Sequence, residues 1–162
     1  MDIDEMRAII QNSKRPGGAT AQEEDSAVAA VIQQVIQITE KHFAQAGRAL
    51  QMERTPTSSW FSFGVRLRSA LIPHTDVLHD ADTLAFLRSL CAEIFDFLMF
   101  VYDSGPAREM AELDRTFGSG IRCGPILPLL LPDRAQSVMA EMNRILDADH
   151  EEEMRRQDQM GY

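Results

Sequence analysis

The chain has 162 residues, of which 44% are hydrophobic and 25% charged, and its formal net charge at pH 7 is −9. This length suits one ordinary domain with its own core, and the charge opposes a polyanionic partner because the long-range field repels it. Cys91 and Cys123 are too few for a disulfide framework. The opening residues, MDIDEMRAII, are acidic and lack the apolar segment of a secretory signal, which predicts a cytoplasmic protein.

Residues 1–20 are predicted to form a flexible N-terminal arm and linker. An apolar stripe at helical spacing is followed by Pro16, Gly17 and Gly18, which interrupt regular structure. A helix this short is marginal alone, so we expect the arm to be disordered or to dock on this chain or a neighbouring subunit. Its candidate partner-binding residues are Ile3, Met6 and Ile10.

A long amphipathic helix is predicted over residues 21–52. It opens with three acidic residues at positions 23–25, where the helix dipole favours negative charge. Gly47 is its one weak point, and Pro56 follows its end. The expected buried face consists of Val28, Val31, Ile32, Val35, Ile38, Phe43, Ala46 and Leu50.

Residues 60–68 fit two periodicities. Alternation of Phe61, Phe63, Val65 and Leu67 with small or charged residues fits a half-buried strand, whereas a helix would align Trp60, Phe63, Leu67 and Leu71. We favour the helix because a lone strand leaves its backbone polar groups unpaired, and no other segment offers a clear partner strand. If the segment is a strand, an oligomeric ribbon is the expected arrangement.

The segment 83–102 is apolar on every side yet carries Arg88, Glu93 and Asp96. Charged residues cost a few kcal/mol each near a bilayer centre, so the segment is expected to be the enclosed central helix of a bundle rather than a membrane span.

Glu93 and Asp96 are three residues apart, so they can share one side of that helix. The basic residues just upstream make Arg66 or Arg68 the expected partner in a structural ion pair. The alternative is general acid or base chemistry by the two carboxylates, which would require raised pKa values.

Residues 74–82 concentrate the side chains that bind metals, with His74, Asp76 and His79 as weak candidate ligands. Their position before a helix is also explained by capping, with Asp80 or Asp82 as the N-cap. No metal and no cofactor is predicted.

The segment 48–68 combines arginines with aromatic residues, which is the composition of a single-stranded nucleic-acid surface. The negative net charge of the whole chain opposes that interpretation. The arginines are Arg48, Arg54, Arg66 and Arg68, and the aromatic residues are Trp60, Phe61 and Phe63.

After a short helix predicted over 107–117, residues 118–132 hold glycines and prolines among large apolar residues and are expected to form an irregular loop. A last amphipathic helix begins near residue 133. Residues 148–162 form an acidic, solvated tail in which four-residue Glu–Arg spacings favour continued helix. The loop supplies further candidate partner-binding residues, which are Ile126, Leu127, Leu129 and Leu130.

Together these patterns predict an all-α, single-domain bundle of four to six helices over residues 21–147, built around the helix at 83–102. The expected function is a non-enzymatic interaction or assembly module, such as an assembly factor, adaptor or secretion-type chaperone. Its partner is another protein or a second copy of the chain. An enzyme using the 74–82 cluster or the Glu93 and Asp96 pair is the first alternative, and nucleic-acid binding through 48–68 the second.

Overall fold

The computed structural model describes residues 1–13, 15–74, 80–102, 108–110, 112–114 and 130–160. This part of the chain contains helices and no strand, so the protein is all-α as predicted, and residues 60–68 are helical. Short helical stretches at 108–110 and 112–114 lie within the predicted helix at 107–117. The main helices are α1 (Ile3–Ser13), α2 (Ala21–Gln45), α3 (Trp60–Leu71) with a 3-10 turn after it (Ile72–His74), α4 (Ala81–Val101) and α5 (Ala135–Gln159).

Local capping explains both ends of α2. Thr20 and Glu23 form a capping box in which each side chain accepts a hydrogen bond from the other residue's backbone N–H. At the other end Gly47 has a φ of +66°, a conformation that glycine adopts without steric cost. Its N–H bonds to the Ala44 carbonyl and the Arg48 N–H to the Phe43 carbonyl, which is a Schellman motif. The helix therefore ends at Gln45, before the predicted residue 52.

Helices α1 and α2 pack against each other as a hairpin, and α1 also contacts α4. The connection depends on Gly18, since a Cβ atom there would lie 1.9 Å from the Asn12 carbonyl oxygen. Met6 and Ile10 are only 5% and 3% exposed. Residues expected to form a flexible arm thus form a regular helix whose inner face belongs to the same core as the rest of the bundle.

Helix α4 runs antiparallel to α2. Phe43 near the end of α2 meets Phe86 near the start of α4, with ring centroids 5.0 Å apart in an edge-to-face arrangement. Arg48 reaches the first turn of α4, where its guanidinium lies 3.4 Å from the Thr83 hydroxyl. The residues of α4 buried in the core are Thr83, Leu87, Leu90, Ile94, Phe95, Leu98 and Val101.

One side of α4 is open, contrary to the expectation of a helix enclosed all round. Met99 and Phe100 are each 47% exposed, whereas their neighbours Leu98 and Val101 are fully covered. The difference follows from helical geometry, because residues one apart point about 100° away from each other and the neighbouring helices cover only part of the circumference.

Helices α3 and α5 complete the described bundle. The N-cap Ser59 starts α3, whose Phe63 is fully buried while Phe61 is 53% exposed. On α5, Met139 and Ile145 pack against the core. The helix then continues without a break to Gln159, and all residues from 147 to 160 are exposed. Residues 148–160 of the predicted acidic tail are therefore exposed, and the helix runs to Gln159.

Candidate functional site

Glu93 and Asp96 of α4 have partners on two different segments. The Glu93 carboxylate pairs with Lys41, at 3.6 Å between Nζ and Oε1, and with Nε2 of His42, both on α2. Asp96 pairs with Arg134, the residue just before α5. The two carboxylates thus link α4 to its neighbours on either side.

The predicted ion pair of Arg66 or Arg68 with these carboxylates is wrong. Arg66 instead lies 3.5 Å from Glu53 and donates to the backbone carbonyl of Thr55, both in the α2–α3 connection. The Nε of Arg68 is buried without a hydrogen-bond partner among the described residues. Charge totals identified the basic segment, but they could not show that α2, rather than α3, lies beside the middle of α4.

The contacts of Glu93 determine its charge state. Its hydrogen bond to His42, followed by the charges of His42 and Lys41, holds the pKa of the Glu93 carboxyl below its ordinary value of 4.5 despite partial burial. A general acid near neutral pH needs the opposite shift. The arrangement therefore favours a structural link between α2 and α4 over acid catalysis.

The Glu93 contact has a predictable pH dependence. Because its folded-state pKa is lowered, its stabilising contribution is present above the unfolded value and is lost as the pH falls through the folded pKa. We expect Glu93→Gln to lower the free energy of unfolding at pH 7 by less than about 1 kcal/mol, since the side chain is 40% exposed. Chemical denaturation at pH 7 and at an acid pH well below the ordinary value of 4.5 checks this. The difference in unfolding free energy from wild type should vanish at the lower pH. The control variant Glu153→Gln, on the solvated end of α5, should have no effect at either pH. A difference for Glu93→Gln that is unchanged at low pH would contradict the pairing.

Most of the predicted partner-binding residues that the structure describes are not at the surface. Met6 and Ile10 face the core, and only Ile3, at 38% exposure, is accessible on α1. Leu130 is 2% exposed and belongs to the core as well. An apolar stripe on a short segment is equally the signature of a helix packed into a core, which is its role here. The remaining candidates, Ile126, Leu127 and Leu129, lie outside the described residues.

The 74–82 cluster is only partly described. Asp76, His79 and the side chain of His74 lie outside the described residues, and no group of three metal-binding side chains occurs among those that are described. Asp80 is the N-cap of α4, where its carboxylate accepts from the Thr83 hydroxyl at 2.7 Å and from the Thr83 backbone N–H. These bonds lower the pKa of Asp80 and explain this acid by capping, as one of the two interpretations predicted.

The basic residues of segment 48–68 are largely engaged within the chain. Arg48 lies over the ring of Phe86, at 5.0 Å from the guanidinium carbon to the centroid, and Arg54 pairs with Glu40. Phe63 is fully buried. A surface for single-stranded nucleic acid needs arginines that can contact phosphates next to exposed aromatic rings on which bases stack. Segment 48–68 offers few such groups, because Arg48 and Arg54 contact their own chain and Phe63 is buried.

A different surface emerges where the start of α1 meets the end of α4. Arg7 lies over the ring of Phe100, 4.8 Å from the guanidinium carbon to the centroid, and its Nε donates to the Phe100 carbonyl at 3.0 Å. Ile3 is one turn before Arg7 on the same face of α1, and Met99 adjoins Phe100. We call these four residues, Ile3, Arg7, Met99 and Phe100, the α1/α4 face.

Sequence reasoning identified only Ile3 of this face. Met99 and Phe100 belong to a helix that is apolar on every side, so periodicity alone did not indicate which of its apolar residues remain uncovered. The apolar stripe of α1 was the available signal, because it indicated that α1 could pack on another helix. A packed α1 covers only the part of α4 that it contacts and leaves the adjacent apolar residues exposed.

Among the described residues, no helix combines the length and the apolar character needed to cross a bilayer. Comparison of the chain with protein-family models, with curated proteins and with solved structures finds no match.

Proposed function

We propose that this protein is a non-enzymatic interaction module that self-associates, in the manner of an assembly factor, adaptor or secretion-type chaperone. The observation that carries the proposal is the α1/α4 face, where Met99 and Phe100 are each 47% exposed and Ile3, one helical turn before the Arg7 that contacts Phe100, is 38% exposed. Single exposed apolar residues are ordinary, but large ones gathered on one surface are typical of protein interaction sites.

The charges around the face favour a second copy of the chain as the occupant. Arg7 provides positive charge and Asp4 negative charge on α1, and the Asp96–Arg134 ion pair places one charge of each sign at α4. A two-fold interface places the same surface on both subunits, so a rim with both signs can pair with itself. The exposed apolar residues supply the attraction, and the rim selects the orientation.

The net charge of −9 opposes association of two copies at long range. At physiological ionic strength the screening length is about 8 Å, so this repulsion is reduced while burial of apolar surface is not. Self-association through the α1/α4 face should therefore strengthen as salt is raised from low to moderate concentration, which is the opposite of nucleic-acid binding.

Substitution of Phe100 by serine tests the proposal. Wild-type protein should sediment as a dimer, and Phe100→Ser should weaken the dimer at least about tenfold, because each copy loses an aromatic contact and tenfold corresponds to only about 1.4 kcal/mol. Analytical ultracentrifugation over a concentration series measures both. The matched control is Phe61→Ser, which removes an aromatic ring that is 53% exposed on α3, a helix that contributes no residue to the face.

A wild-type protein that stays monomeric at every concentration and salt tested would contradict self-association. Equal weakening of the dimer by Phe61→Ser and Phe100→Ser would contradict the assignment of the interface to the α1/α4 face. The enzyme alternative gains no support from Glu93, whose pKa is shifted away from that of an acid catalyst, and the nucleic-acid alternative gains little from arginines that contact their own chain.

A further inference from the structure

Helix α3 has apolar residues on its outer side as well as on the side that faces the core. Phe63 and Leu67 are buried, whereas Phe61 is 53% exposed and Val65 is half-buried. A helix at the surface of a bundle normally has polar or charged residues on its outer side. Apolar residues on both sides of α3 are also the reason why residues 60–68 fitted the alternation of a strand.

Four residues form this outer side. Phe61, Val65, Arg68 and Ile72 are spaced by four, three and four residues, which places them on one face of a helix. Ile72, which is 38% exposed, keeps a helical backbone with φ −49° and ψ −45°, so the face continues across the end of α3. We call these four residues the α3 face. It is about 16 Å long, since each residue of a helix adds about 1.5 Å.

Arg68 is the one charged residue of the α3 face, and it forms no ion pair or side-chain hydrogen bond with the described residues, although the chain has 25 acidic residues. Its Nε is buried, while the residue as a whole is half-buried. Withdrawing a charge from water without a partner is unfavourable. The dipole of α3 favours a positive charge near its C-terminus, but it does not supply the missing carboxylate.

The charges around the α3 face favour an acidic occupant. Helix α3 contains two arginines and no acidic residue. The other arginine, Arg66, already pairs with Glu53 in the preceding connection. A carboxylate that reaches Arg68 would accept charge-assisted hydrogen bonds from its guanidinium, and apolar residues lie one turn away on either side. The face therefore suits a carboxylate that is surrounded by apolar side chains.

We propose that the α3 face binds an amphipathic helix of another protein, which presents apolar side chains to Phe61, Val65 and Ile72 and a carboxylate to Arg68. Packing of one helix along another brings apolar side chains at three- and four-residue spacing into contact, and about three turns cover the length of the face. The proposal does not depend on self-association, because the α3 face and the α1/α4 face share no residue.

A membrane surface and single-stranded nucleic acid are less favourable occupants than an acidic helix. Each basic residue contributes only about 1 kcal/mol to attraction by an anionic membrane, and the α3 face has one unpaired cation. The net charge of −9 also repels both of these polyanionic partners.

Selection from a library of helical peptides displayed on yeast tests the proposed chemistry. Each peptide has apolar residues along one face, and each position beside that face encodes glutamate, glutamine or lysine in equal proportion. Wild-type protein should enrich glutamate over lysine at least about tenfold at one of these positions. A general charge effect would act in the opposite direction, because a chain of net charge −9 attracts lysine. Failure to enrich any peptide, or no preference for glutamate, would overturn the proposal.

Variants assign the selected peptides to the α3 face. Phe61→Ser and Arg68→Gln should each weaken binding of a glutamate peptide at least about tenfold, and Arg68→Glu should reverse the preference from glutamate to lysine. The controls are Phe100→Ser, which removes a similarly exposed ring from another helix, and Arg155→Glu on the exposed end of α5. Each control should change binding less than about twofold. Equal losses for Phe61→Ser and Phe100→Ser, or an unchanged preference in Arg68→Glu, would contradict the assignment.

Other occupants of the α3 face would give different results. Weakening of the homodimer by Phe61→Ser would assign the face to a second copy of the chain. Flotation with vesicles of phosphatidylcholine and phosphatidylserine that is lost in Arg68→Gln would assign it to a membrane surface, and the same loss of binding to a thymidine oligonucleotide would assign it to nucleic acid. Each of these results would overturn the proposal of an acidic partner helix.

Discussion

Replacing Ile10 with alanine should lower the free energy of unfolding by about 2–5 kcal/mol, the usual cost of removing a large aliphatic side chain from a core. Ile10 is 3% exposed and lies on the face of α1 that packs against α2 and α4. For a chain of this size each kcal/mol corresponds to about 2–4 °C in Tm, so thermal denaturation followed by circular dichroism is sufficient to measure the change.

The same substitution at Ile3 is the matched control, since it removes the same side chain from the same helix at a position that is 38% exposed. Ile3→Ala should change stability by no more than about 0.5–1 kcal/mol, because little apolar surface is transferred to water. If both variants are as stable as wild type, α1 is a detached arm and not part of the core. Ile3→Ala should still weaken self-association, since Ile3 lies on the α1/α4 face.

A second large effect is expected at Phe63. This ring is fully buried, and Phe63→Ala should cost about 3–5 kcal/mol of unfolding free energy. The indole of Trp60, at 6.0 Å between centroids, would also lose its edge-to-face neighbour and gain mobility. Urea denaturation monitored by circular dichroism and by tryptophan fluorescence measures both consequences.

Phe61→Ala distinguishes the helix from the strand that the sequence also allowed. Residues two apart lie on the same face of a strand but are about 200° apart around a helix. Phe61 is 53% exposed, so its replacement should cost no more than about 1 kcal/mol. Comparable large losses at Phe61 and Phe63 would favour the strand and contradict the helical assignment of α3.

The core of the bundle was partly predictable. Val31, Ile32, Val35, Ile38 and Phe43 were expected on the buried face of α2, and all are buried. Periodicity identifies such a face because one stripe of a long helix must be covered. Periodicity did not identify Met6 and Ile10 as core residues. A stripe of three or four apolar residues gives the same sequence pattern whether the groove that it packs into belongs to this chain or to a partner.

The electrostatic contacts were less predictable than the core. Within the basic segment, Arg66 and Arg68 are the arginines closest in sequence to Glu93 and Asp96. The carboxylates nevertheless pair with Lys41, His42 and Arg134. Ion pairs form between groups within about 4 Å, so they depend on which helices are adjacent and on how each is rotated. Charge totals along the chain contain neither quantity.

What the sequence determined by itself is the position of the long helices and the local chemistry of their ends, although periodicity alone placed the end of α2 at residue 52 rather than at Gln45. The Thr20–Glu23 capping box, the Gly47 turn and the Asp80 N-cap involve groups a few residues apart, so each end depends on local chemistry. Only the tertiary structure decided which apolar residues remain at the surface and which charges meet. Burial of Ile10 and exposure of Phe100 both depend on contacts between segments far apart in the chain, and these follow from the joint packing of all the helices.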